Sequence, residues 1–264
     1  MPEGDTLWRT AAALRPRLVG RTVLYAEPLR IARLKGRRVE GVDSNGKHLL
    51  MRFDDGLVLH SHMRMTGSWH IYAPAQPWRK PARLASAVLT FDDAVVVLFS
   101  APVVELTRDA RELVGHLGPD ILADDFDVAD AVRLARLSER EELGDLLLDQ
   151  RVCAGIGNIY KCETMWLHRA NPWMRAADLT DNELGQMYAT ARRLMRDSIA
   201  GRGRGARRAV HARNHRPCPR GGTAVAVRAQ GLLGRLTYFC PRCQGGPRDA
   251  RRPPQVSSGG GSDA

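Results

Sequence analysis

Between about residues 21 and 106, apolar positions fall in short runs rich in β-branched residues: TVLYA, GRRVEGV, HLLMRF, GLVLHSH, GSWHIY, ASAVLTF, AVVVLFS and PVVEL. Asn45-Gly46, Asp54-Asp55-Gly56 and Asp92-Asp93 separate several of them, and such pairs favour tight turns, so the pattern predicts a sandwich of antiparallel strands. Ahead of it, DTLWRTAAAL at 5–14 suits a helix. Pro2 and Glu3 sit at that helix's N-terminal edge, where a missing N–H costs nothing and negative charge is favoured. Beyond Gly118-Pro119-Asp120 the period turns helical through DVADAVRLARL, ELGDLLLDQ, GIGNIYKCETMWLHRA and a long segment at 181–199, where Thr180 and Glu183 have capping-box spacing. The Gly- and Arg-rich stretch at 201–216 fits no regular pattern and leads into a cysteine-bearing module, and the low-complexity tail from about 247 reads as disordered. The expectation is an α+β fold with units at 1–123, 124–205 and 206–246 and a tail at 247–264.

Composition narrows the partners. With 44% hydrophobic and 26% charged residues among 264, the chain reads as globular, and no apolar run is long enough to span a bilayer. Charge begins at Glu3 with no apolar stretch behind it, which argues against a signal peptide and for a cytoplasmic or nucleoid location. Forty Lys and Arg against 29 Asp and Glu leave +11, a surplus that attracts phosphates, although solubility alone would also use it. Five cysteines, an odd number, argue against a disulfide framework; the CxxC pair Cys240 and Cys243, with Cys218 upstream, reads as metal-binding instead.

Met1-Pro2 taken alone is an ordinary start. Once Met1 is removed, however, Pro2 offers a secondary amine with the pKa of an α-amino group, around 8, so a useful fraction is neutral near physiological pH. Such an amine can attack a sugar C1' and form an iminium without a strong base. Glu3 beside it can protonate the ring oxygen and later take a C2' proton.

MPEG at the start, SNGKHLLMRF at 44–53, HMRMTGSW at 62–69, HLGPDIL at 116–122, LLDQRVCAGIGNIYKCETMW at 147–166 and GRLTYFCPRCQ at 234–244 together resemble the formamidopyrimidine-DNA glycosylase and endonuclease VIII family. The resemblance runs to about residue 246 and implies an N-terminal helix with a β-sandwich, a helix-two-turns-helix unit and a C-terminal hairpin zinc finger. It further implies Pro2 as Schiff-base nucleophile, Glu3 as acid-base group and Lys47 as a phosphate contact supporting catalysis, where a bland reading has Lys47 only solvating a turn. Gly157 and Asn158 match the phosphate-binding turn, Met65 the side chain inserted when a nucleotide is flipped out, with Arg64 beside it, and Arg235 the arginine placed in the minor groove. On a strand, a methionine such as Met65 would more often be core.

The chain departs from the family at three places. The second upstream cysteine is replaced by Gly221, so the expected ligands of one structural zinc per chain are His215, Cys218, Cys240 and Cys243, with His211 as the alternative and a metal-free hairpin as the bland outcome. Thr6 stands where many members carry a glutamate, and Arg64, Met65 and Thr66 replace the Gln-Leu-Tyr wedge of the best-known endonuclease VIII. Cys153 and Cys162 read as small core residues.

The expected function is a bifunctional DNA glycosylase and abasic-site lyase of base excision repair. It would act as a monomer on double-stranded DNA carrying oxidised bases, pyrimidines first, or abasic sites. Oxidised purines such as 8-oxoguanine are the alternative substrate class, and a non-catalytic damaged-DNA-binding protein is the rival class. A metal-dependent nuclease fits worse, since no catalytic metal spacing appears.

Overall fold

The alternating runs form eight strands in two antiparallel sheets. Four of them, β1 (Tyr25–Glu27), β5 (Ser68–Tyr72), β6 (Ala85–Thr90) and β7 (Val95–Phe99), make a sheet in the order β1-β6-β7-β5; β2 (Val39–Asn45), β3 (His48–Phe53), β4 (Val58–His62) and β8 (Val103–Thr107) make the other in the order β2-β3-β4-β8. The computed structural model describes residues 2–202, 208–232 and 234–247; the tail beyond 247 and part of the Gly- and Arg-rich connection lie outside the described residues.

Inward positions of both sheets, among them Leu49, Met51, Phe53, Leu59, Leu89, Val96 and Leu98, share one core. The opening helix α1 (Gly4–Leu18) completes it through Leu7, Ala11, Leu14 and Leu18, whose i, i+4, i+7, i+11 spacing makes a single apolar stripe. Each such fully buried leucine contributes about 1.5–3 kcal/mol of transfer free energy. The helix runs four residues further than the sequence pattern predicts, through Pro16, and the chain turns away at Gly20, which takes a φ of 84°.

A short turn α2 (Arg111–Val114) leads to a second core built on α3 (Val128–Leu137), α4 (Leu143–Leu146), α5 (Asn158–Leu167) and α6 (Asp181–Ile199). The Asp127 carboxylate accepts from Ala129 N–H to cap α3, and Thr180 and Glu183 form the expected capping box on α6. ELGDLLLDQ gives only the one turn of α4, because its last residues turn to serve the following loop: Gln150 Nε2 donates to Leu148 O and Ile156 O, and its Oε1 accepts from Gly155 N–H. The chain ends in a hairpin of β9 (Ala226–Gln230) and β10 (Arg235–Phe239), followed by the turn α7 (Pro241–Gln244).

Candidate active site

Three segments meet at the start of α1. Glu3 caps no N–H of its own helix; its carboxylate crosses to the N-terminus of α5, where Oε1 accepts from Ile159 N–H at 2.8 Å and Oε2 lies 3.5 Å from Tyr160 N. Free N–H groups and the positive end of the helix dipole favour negative charge there. The approach requires glycine at 157, because a Cβ there would run into Cγ and Cδ of Glu3. Gly4 N–H donates to Gly155 O at 3.0 Å, and Gly155 holds a φ of 106°, so the backbones of the two segments touch directly. Glu3 is 0% exposed while Pro2 beside it is half-buried.

The third segment is the β2–β3 hairpin, whose two-residue turn is Gly46 and Lys47. Asp120, from the connection into the helical unit, accepts Gly46 N–H on Oδ2 and Leu122 N–H on Oδ1, both at 2.9 Å, and pairs as a bridge residue with Ala154. One carboxylate thus pins the Lys47 turn to the loop preceding α5. Burial pushes the Glu3 carboxyl above its usual range, partly offset by Ile159 N–H and the Lys47 ammonium. Burial also lowers Lys47 to about 8, with Glu3 raising it and the Arg235 guanidinium lowering it further. Glu3, Lys47 and Arg235 therefore share one electrostatic field.

Asn158 opens α5 and reaches the hairpin: its Nδ2 donates to Leu236 O at 2.8 Å, next to the exposed Arg235. The other two candidates lie on the turn between β4 and β5. Arg64 takes a left-handed φ of 44° there, and Met65 is 63% exposed, so this methionine lies on a turn and outside the core. Arg64 N–H donates to Nδ1 of His62, and Gly67 N–H closes the turn on Met63 O.

Several residues that position these groups were missed by sequence reasoning. His62 stacks edge-on against His48, the residue after Lys47, and His48 Nδ1 pairs with Nε2 of His60, whose Nδ1 faces Glu105. Burial and the neighbouring positive groups lower His48 to about 3 and His62 to about 4, so both rings stay neutral at physiological pH. Lys161 on α5 is fully buried; its Nζ donates to Thr237 Oγ1, which donates to Gln230 Oε1, and Gln230 Nε2 donates to Glu142 and to Pro172 O. Glu163 accepts N–H groups of Ala209, Val210 and His211. The one available signal was a lysine on the buried face of a predicted helix; the remaining pairings join distant segments.

The cysteine cluster departs from its expected ligand set. Among the described residues the group able to hold a metal is Cys218, Cys240 and Cys243, with sulfur atoms within 4.8 Å of one another. His215 is not part of it: it is exposed on a left-handed turn at φ 63°, where the backbone serves the turn and the ring is free of the cluster. His211 is not part of it either, being packed on Tyr238 and paired with Arg208. Cys153 and Cys162 are buried, and burial raises both thiols, Cys162 to about 11, as inert core residues require.

A two-sheet sandwich joined to a helical unit and a cysteine-bearing hairpin, with Glu3, Lys47 and Arg235 in one field, defines a class. Residues 1–103 match the formamidopyrimidine-DNA glycosylase N-terminal domain, and residues 117–209 match the formamidopyrimidine-DNA glycosylase H2TH domain. The chain belongs to the formamidopyrimidine-DNA glycosylase family. It is 42% identical to a probable endonuclease 8 2 of Streptomyces coelicolor over 94% of this chain and 95% of that protein. A DNA-(apurinic or apyrimidinic site) lyase of Mycolicibacterium smegmatis is 32% identical over 92% and 99%. The crystal structure of the MutM (Fpg) protein of Thermus thermophilus superimposes with a TM-score of 0.79 at 30% identity, covering 93% of this chain and 99% of that one. Relatives thus carry both endonuclease 8 and formamidopyrimidine-DNA glycosylase names.

Proposed function

We propose that the protein is a bifunctional DNA glycosylase and abasic-site lyase acting on oxidised bases in duplex DNA, oxidised pyrimidines first. The observation that carries the reading is the fully buried Glu3 carboxyl, held on the α5 N-terminus beside Pro2 and within the field of Lys47. A carboxyl kept out of water costs free energy, and such perturbed groups concentrate at reacting centres.

The Pro2 amine attacks C1', the glycosidic C–N bond breaks, and the base leaves with the proton given up by the Pro2 nitrogen. Glu3 protonates the ring oxygen, which opens the sugar and leaves an iminium between Pro2 and C1'. Glu3 takes a C2' proton and the 3' phosphate is expelled, and loss of the C4' proton expels the 5' phosphate. Water hydrolyses the iminium to free Pro2 and release the unsaturated sugar fragment, leaving a one-nucleotide gap with phosphate at both ends. Lys47, Asn158 and the adjoining Gly157 turn bind phosphates around the flipped nucleotide, Arg235 enters the minor groove, and Met65 with Arg64 fills the space left in the duplex.

The cysteine cluster holds one structural zinc, through which no step of this chemistry passes. A monomer acting on the chromosome in the cytoplasm or nucleoid completes the reading; among the described residues no helix is long and apolar enough to cross a membrane.

Borohydride trapping on abasic duplex DNA tests the enzyme. A covalent adduct that disappears in Pro2→Gly is expected, and absence of an adduct in the wild type favours the non-catalytic damaged-DNA-binding protein. Duplexes carrying thymine glycol, dihydrouracil or 8-oxoguanine opposite cytosine test the substrate class, with selective cleavage of 8-oxoguanine turning the reading to oxidised purines.

A further inference from the structure

The C-terminal module contains two similar chain turns facing each other. At Cys240-Pro241-Arg242-Cys243 the backbone folds back with Cys243 N–H on Cys240 O, and both sulfurs enter the cluster. At Cys218-Pro219-Arg220-Gly221 the spacing repeats: Gly221 N–H points at Cys218 Sγ at 3.4 Å, and Gly222 N–H closes on Cys218 O. The side-chain direction at 221 leads into the cluster, since a Cβ built there would lie 2.7 Å from Cys243 Sγ and 3.2 Å from Cys240 Sγ. The fourth corner of a tetrahedral site therefore falls on a residue with no donor atom, and neither His215 nor His211 joins the group.

From this we infer that Cys218, Cys240 and Cys243 form a three-thiolate site for a thiophilic divalent metal whose fourth coordination position, over Gly221, is filled from solution. Three protein donors with an exchangeable fourth are the arrangement seen in open zinc sites, whereas closed structural sites use four protein donors. The metal here accepts a water or a small exogenous donor such as an imidazole or a thiol. The surroundings support binding: Trp166 Nε1 donates to Cys218 Sγ at 3.2 Å, and the Arg220 guanidinium lies over the Trp166 ring at 4.1 Å, which fixes the first turn from outside the cluster. The assignment stands apart from the glycosylase reading, because it concerns only coordination.

Cobalt(II) titration of the reduced, full-length protein tests it, since the visible bands of tetrahedral cobalt report the donor set. One equivalent is expected to bind, with binding lost in Cys243→Ser. Imidazole added to the cobalt-loaded wild type should shift the bands saturably. Gly221→Cys should move the bands to longer wavelength, abolish the imidazole response and hold zinc at least about tenfold more tightly in competition with a chelator. His215→Ala and His211→Ala should leave the wild-type spectrum unchanged. A wild type that binds no cobalt, bands indifferent to imidazole, or a spectrum altered by either histidine substitution would overturn the assignment. The imidazole response needs no substitution, so it decides the matter even if Gly221→Cys fails to fold.

Discussion

Two buried ionisable groups, one at the N-terminus of α5 and one leaving its side, are held by opposite means. Glu3 enters from the start of the chain and rests on backbone N–H groups of Ile159 and Tyr160, with glycines at 155 and 157 letting the main chains close on it. Lys161 leaves the same helix toward the C-terminal hairpin and rests on a relay of side chains, Thr237, Gln230 and Glu142. A backbone cradle fixes a group to within tenths of an ångström and tolerates no added atom, which suits the reacting role proposed for Glu3. A side-chain relay positions a whole hairpin, and each link can be cut separately. The hairpin's own core is small, built on Cys162, Val210, Cys218, Val225 and Cys240, so relay and cysteine cluster together do what apolar burial alone cannot.

The contrast breaks most visibly at Glu3. Glu3→Gln should lower single-turnover cleavage of an oxidised duplex by about 10²–10⁴. The same change should raise the thermal midpoint at neutral pH. Because the folded-state pKa of Glu3 is raised, the native protein holds the proton that the unfolded chain gives up, and stability falls as pH rises through that window. Glutamine, uncharged, escapes the penalty. Equal midpoints for wild type and variant would show that the cradle fully compensates burial.

On the other side of the helix, Thr237→Val orphans Lys161 Nζ and Gln230 Oε1, at about 1–3 kcal/mol for each group left unpaired. Urea unfolding should show the loss, and adding Lys161→Met should recover only the share due to the lysine, since Gln230 Oε1 stays unpaired, whereas a neutral Thr237→Val would mean the relay carries no weight.

A smaller effect sharpens the role of the hairpin turn. With Lys47 lowered to about 8, its ammonium loses the proton as pH rises through that value. Wild-type kcat/KM should therefore fall above pH 8, approaching about tenfold per pH unit. Lys47→Arg, which stays charged, should remove that limb. The smallest change is expected at the exposed Met65, the side chain proposed to fill the duplex. Met65→Ala should leave stability within about 0.5 kcal/mol, while reducing cleavage of duplex substrate more than of single-stranded substrate.

Much of this was legible in the chain. The eight β-rich runs became eight strands, and α6 covers the expected 181–199. Local rules sufficed there, since alternation, turn pairs and the Thr180 cap act over a few residues. ELGDLLLDQ reads as a longer helix than α4 because its Gln150 answers to a loop five residues on, which periodicity does not record. The HxxC spacing pointed to His215 as a ligand, but the residue is exposed on a left-handed turn and does not join the cysteine group.

By itself, then, the sequence determined the order of elements, the family motifs and the identity of Pro2, Glu3, Lys47, Asn158 and Arg235 as the groups to watch. Only the tertiary structure decided that Glu3 reaches across to α5, that Asp120 pins the Lys47 turn, that Lys161 is tied to the hairpin, and that Cys218, Cys240 and Cys243 come together without His215 or His211. The physical reason is range. Propensity and capping are settled between near neighbours, whereas a buried charge is settled by whichever N–H, hydroxyl or thiol the fold brings within about 3 Å of it, however far away in the chain.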